Sequence, residues 1–132
     1  MKKTKLTLLV VIMCLISGCS RAEAPVSRVV TKIDVVCTQS NTQVIRTYKH
    51  PKKMEALLYY LRTLRYCGKA DTDPEQIRGD AYHIVLTYSD GTSRVYRQRA
   101  NRYLSRDARP WEQIDPRQGR SLPLLLKLMP ED

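Results

Sequence analysis

Cysteine, histidine and arginine are the residues of this 132-residue chain whose placement can do chemistry. Four cysteines occur, Cys14, Cys19, Cys37 and Cys67. No two of them form a Cys-x-x-Cys pair, so neither a dithiol redox site nor a zinc ribbon is indicated. The two histidines, His50 and His83, are far apart in sequence. The first flanks a helix start, and the second is a cross-strand partner in a strand. No Gly-x-Ser-x-Gly elbow, His-Glu-x-x-His pair or phosphate-cradling glycine loop is present. The carboxylates are scattered, mostly in loops, with no pair placed about one cleft. Asp71, Asp73 and Glu75 have the look of a calcium loop but lack its glycine and terminal glutamate. The sequence therefore argues against an enzyme, and it implies no metal and no cofactor.

Anion binding is the chemistry with the most residues behind it. Arg94, Arg97, Arg99, Arg102, Arg106 and Arg109 stand close together, with Asp107 as the one acid among them and Tyr96 and Tyr103 interleaved. Such a run suits lipid headgroups, an anionic polymer or, in another setting, a nucleic-acid strand. The competing explanation is an exposed sheet face and edge whose charge prevents edge-to-edge pairing. Strand alternation puts Arg97 and Arg99 on a face that Arg94 does not share, so the six cannot form one flat patch.

The compartment follows from the first nineteen residues. Lys2, Lys3 and Lys5 make a positive start, and Leu6 to Ile16 is an almost unbroken apolar run. This is the pattern of a secretory signal peptide, too short to span a bilayer, which needs roughly 20 apolar residues. The stretch Leu15-Ile16-Ser17-Gly18-Cys19 resembles the lipobox of bacterial lipoproteins. The resemblance covers residues 1 to about 20. It implies cleavage before Cys19, acylation of that cysteine, and an extracytoplasmic protein lipid-anchored to the cell membrane. In a cell with two membranes, Ser20 rather than Asp after the cysteine implies outer-membrane sorting by the family rule. An exported protein does not meet nucleic acid, which leaves anionic headgroups, envelope polymers or a protein as partners.

Export also simplifies the cysteines and the charge. Cys14 leaves with the peptide, Cys19 carries lipid, and Cys37 and Cys67 remain as an even pair in an oxidising compartment. If the first strand, the second strand and the helix after it have similar lengths, the helix end returns near Cys37. A Cys37–Cys67 disulfide is then expected, worth about 3–4 kcal/mol by chain-entropy arithmetic. Two free thiols are the rival. The formal charge of +10 for the whole chain falls to +7 once three lysines are removed.

The elements that position these residues read as follows. Residues 19–27 are the lipidated cysteine and a short tether, whose eight residues Ser20 to Ser27 reach at most about 28 Å. Residues 28–132 are a single domain. Arg28 to Thr38 alternates as a strand, and a two-residue turn at Ser40-Asn41 sets Cys37 opposite Val44 and Ile33 opposite Tyr48. Pro51 starts a helix with Met54, Leu57, Leu58, Leu61 and Leu64 on one stripe, and Gly68 is its natural stop. Tyr59, Tyr60 and Tyr66 flank that stripe, either packing on the sheet or forming an aromatic surface. Pro74 to Arg78 can make one helical turn. Ala81 to Tyr88 and Thr92 to Arg99 form a hairpin around Ser89-Asp90-Gly91, in one of two registers. Short strands are expected at Arg102 to Arg106 and Trp111 to Ile114, a helical start at Asp115-Pro116, and a short helix near Ser121 to Met129.

The expected fold is α+β: an antiparallel sheet of four to six strands, one main helix at about residues 51–66 on one face, and a short C-terminal helix. The expected function is that of a membrane-anchored, non-enzymatic binding or adaptor module for a protein or an anionic envelope component. The alternative is an envelope inhibitor or sensory accessory that recognises an enzyme or receptor through its loops.

Overall fold

The computed structural model describes residues 29–132. The signal peptide, Cys19 and the tether expected from the sequence lie outside these residues. Seven strands form one antiparallel sheet, one more than the largest number expected: β1 Val30–Gln39, β2 Thr42–Tyr48, β3 Tyr66–Lys69, β4 Ala81–Tyr88, β5 Ser93–Arg99, β6 Tyr103–Arg106 and β7 Glu112–Ile114. Their order is β2-β1-β4-β5-β6-β7-β3. Three helices lie among the described residues: α1 Pro51–Thr63, the single turn α2 Pro116–Gly119, and α3 Ser121–Leu128.

The apolar alternation of β1 sets the core face. Ile33 and Val35 are buried there, with Tyr48 from β2 and Ile84 and Leu86 from β4 beside them. The β1–β2 register matches the expectation, with Cys37 opposite Val44 and Ile33 opposite Tyr48. The β4–β5 hairpin takes the three-residue turn. Gly91 sits at φ +84°, a left-handed conformation that glycine adopts without a Cβ penalty, and Tyr96 consequently opposes Ile84.

Pro51 occupies the first position of α1, and the Nδ1 of His50 accepts the Lys52 N–H at 3.3 Å. Leu57, Tyr60 and Leu61 bury its inner stripe. The helix stops at Thr63, short of the expected residue 66 and of Gly68. The Gln118 side chain ends it. Its Nε2 donates to Thr63 O at 2.7 Å, and its Oε1 accepts the Arg65 N–H at 2.7 Å. Residues after Arg65 then pair with β7 as an edge strand, which supplies the additional strand.

Two connections cross the sheet. Since β2 and β3 are opposite edges, α1 carries the chain across the core face from one edge to the other. The segment from Ala70 to Asp80, containing a 3-10 turn at Pro74–Gln76, then returns across the opposite face from β3 to β4. Met129 and Leu126 close the core beside β2. The Tyr48 hydroxyl donates to Met129 O at 2.7 Å, and the Arg46 guanidinium donates to Leu126 O.

The expected Cys37–Cys67 bridge is not formed, and both thiols are free. Strands β4, β5, β6 and β7 lie between β1 and β3, so five spacings of about 4.8 Å put the cysteines roughly 24 Å apart along the sheet. A disulfide needs Cα atoms within about 7 Å. Helix α1 does return toward the far end of the sheet, but it also moves the chain to the opposite edge.

Candidate binding groove between the helices

The arginine run is divided by the pleat. Arg97 and Arg99 point to the face opposite the core, where the returning Ala70–Asp80 segment lies. Arg97 Nη1 is 3.2 Å from Glu75 Oε1, Arg97 Nη2 donates to Ser105 Oγ at 3.3 Å, and its guanidinium lies 4.8 Å from the centre of the Trp111 ring. Arg99 donates to the carbonyls of Glu75 and Ile77 at 3.2–3.4 Å. The Tyr103 hydroxyl donates to Asp71 Oδ1 at 2.7 Å, and this bond holds the Asp71 carboxyl below its ordinary pKa. These three residues fasten the crossing segment to the sheet. Burial and the adjacent Arg97 and Arg99 charges lower the pKa of His83 on the same face.

The other four arginines are elsewhere. Arg94 pairs with Asp107 at 3.0 Å, and Arg106 has the same strand parity, opposite Tyr96. Arg102 lies 5.9 Å from the Tyr103 ring centre, and Arg109 is exposed in the loop after β6. The six therefore do not make a common anion-binding surface: Arg97 and Arg99 bolt a loop, Arg94 is ion-paired with Asp107, Arg102 precedes β6, and Arg106 and Arg109 lie at and after its far end.

A different surface is left open on the helical side. Helices α1 and α3 lie side by side, and between them runs a groove of about 650 Å³. Its walls are Ala56, Tyr59 and Thr63 from α1 and Leu124, Leu125 and Leu128 from α3. Tyr59 and Leu124 are each 63% exposed and Leu128 is 80% exposed. The groove floor is held by hydrogen bonds centred on the buried Gln98. The Tyr60 hydroxyl donates to Gln98 Oε1, and Gln98 Nε2 donates to Gly119 O at 3.0 Å and Asn101 Oδ1 at 3.3 Å. Burial raises the Tyr60 pKa well above its ordinary value, so this hydroxyl stays protonated and donating.

The three flanking tyrosines separate accordingly. Tyr60 is core, Tyr59 lines the groove, and Tyr66 belongs to β3, where burial raises its pKa. The sequence places a short helix here without singling out Leu124 and Leu128, and the opposite side of that helix buries Leu122, Leu126 and Met129. The available signal was that Leu122 to Leu128 is apolar almost all round. A helix of that composition is normally buried on every side, yet α3 leaves Leu124 and Leu128, four residues apart, facing solvent.

The fold and this groove define a small α+β domain with an antiparallel sheet and a helical layer on one face. No protein-family model, no curated protein and no solved structure matches the chain.

Proposed function

We propose that this chain is a lipid-anchored extracytoplasmic protein that works by binding rather than by catalysis, an adaptor held at a membrane through Cys19. The observation that carries the binding part is the open apolar groove between α1 and α3, a concave site of the size ligands and partner segments occupy. The anchor part rests on the lipobox-like Leu15 to Cys19. A second reading, a sensory or inhibitory accessory acting through its loops, draws on a polar concavity of about 570 Å³ at the other end of the sheet, where Thr38, Arg78, Asp80 and Arg99 meet.

Fatty-acid labelling in cells, followed by crosslinking and isolation, tests the proposal. Wild-type protein should be labelled and remain with the membrane, and Cys19→Ser protein should not. Replacing Tyr59 and Leu124 with Glu should abolish crosslinking if the groove is the working surface. Unlabelled wild-type protein in the medium removes the anchor. Crosslinks that survive at the groove and vanish with Arg78→Ala transfer the function to the loops.

A further inference from the structure

The geometry points to an occupant for the helical face: the interfacial layer of an anionic bilayer, into which Tyr59, Leu124 and Leu128 insert. This rests on the lipid-anchor reading and deepens it by making the bilayer itself the ligand of the groove between α1 and α3. Three observations carry it.

First, the chain outside the described residues enters at the right end. Val29 donates its N–H to Ser89 Oγ at 3.3 Å and accepts from Ser89 N at 2.8 Å, beside the β4–β5 turn. The register puts this end of β1 next to Tyr48, where α1 begins and α3 finishes. An anchor at Cys19 is joined to Val29 by ten residue steps, which reach at most about 36 Å. Helix α1, with 13 residues, is about 20 Å long. The whole helical layer is therefore within tether range of the membrane.

Second, charge surrounds the apolar ridge with the sign that anionic headgroups require. Lys52 and Arg62 on α1 and Arg120 and Lys127 at α3 are exposed, and none of the four has an ion-pair partner among the described residues. Arg97, Arg99 and Arg94, by contrast, are already engaged. Glu55 is the acid within the groove wall. Basic residues flanking an exposed aliphatic and aromatic face are the composition of helices that lie in the plane of an interface.

Third, α3 is apolar on the side facing away from the core as well as on the side facing it. The energetic reason to keep Leu124 and Leu128 in water is missing from the domain itself, and an acyl boundary supplies one. With the lipid holding the protein down, insertion orients the domain, turning the loop-bolted face and its polar concavity away from the bilayer.

The test reconstitutes the full lipidated chain with phosphatidylcholine–phosphatidylglycerol vesicles whose acyl chains are brominated. Leu128→Trp adds an indole at a solvent-facing position, and native protein, with Trp111 alone, is the reference. Flotation of wild type, compared with Cys19→Ser, reads the anchor separately. The expected result is flotation with loss of most of the added indole emission, while Trp111 emission is unchanged. Flotation with the added indole unquenched and open to aqueous iodide overturns the membrane-facing orientation and leaves the anchor standing. An added indole shielded from both iodide and bromolipid places a second copy on the face and overturns the lipid assignment. Flotation and quenching that are the same in Cys19→Ser protein support the face and remove the anchor, and loss of both signals overturns both.

Discussion

Replacing Tyr60 with Phe removes a single oxygen from the polar contact that ties α1 to the sheet beneath the groove. Gln98 is 1% exposed and its Oε1 accepts the Tyr60 hydroxyl. Without that donor a buried amide oxygen is left unpaired, at a cost of about 1–3 kcal/mol. The ring is retained, so little packing is lost. For a domain of this size each 1 kcal/mol moves the thermal midpoint by roughly 4–8 °C, and a loss of about 2 kcal/mol gives roughly 8–16 °C. Gln98→Met keeps the volume but abandons the Tyr60 hydroxyl and the Gly119 carbonyl together. It should cost more, about 3–4 kcal/mol, by the same arithmetic. The two residues are each other's hydrogen-bond partners, so the double variant should be less destabilised than additivity requires, by about 1 kcal/mol. Urea unfolding of the purified single and double variants, followed by circular dichroism, measures all three. A Tyr60→Phe protein within about 0.5 kcal/mol of wild type, with additive effects in the cycle, would refute the reasoning.

Gly119 tests the packing of α2. A Cβ there meets Asn101 O at 1.9 Å and Asn101 C at 2.6 Å, backbone atoms of a turn held at left-handed φ. Gly119→Ala should cost about 3 kcal/mol in the same unfolding assay, and an unchanged midpoint would contradict the geometry. Without reductant, the exposed Cys67 should be alkylated quickly in folded protein. The half-buried Cys37, its thiol pKa raised by burial, should react slowly. Two protected thiols that appear only after reduction would instead establish a bridge. The side-chain carboxylate of Asp132 accepts the Lys49 and His50 N–H groups, and its pKa is lowered from 3.8 to about 2. Because the folded form holds the ionised carboxylate more tightly, the contribution is complete above about pH 4 and is lost as pH falls toward 2. Asp132→Asn should flatten the pH dependence of stability in that window. An unaltered profile would show that the tail does not cap this end of β2.

Local pattern was enough for much of the fold. The alternation of Ile33, Val35 and Cys37 and the turn at Ser40-Asn41 determined the β1–β2 register. The Pro51 start and the Leu57–Leu61 stripe determined α1, and Asp115-Pro116 determined the next helical start, where Asp115 Oδ1 accepts the Arg117 N–H at 2.9 Å. Each depends on contacts between residues near in sequence, which periodicity and capping report directly. The end of α1 was not legible, because Gln118, more than fifty residues away, captures both Thr63 and Arg65. Strand order was not legible either. The two cysteines were placed together by counting element lengths, but length along a strand carries no information about position across a sheet. That position depends on which edges pair, and the pairing of β3 with β7 put Cys67 at the far edge. The arginines show the same division. Alternation alone separated Arg97 and Arg99 from Arg94. Only the crossing of Ala70–Asp80 over that face turned two apparent anion receptors into fasteners, since a charged side chain goes to the nearest carbonyls and carboxylates the tertiary fold supplies. The apolar groove likewise exists only because α1 and α3, distant in sequence, are laid side by side on one sheet.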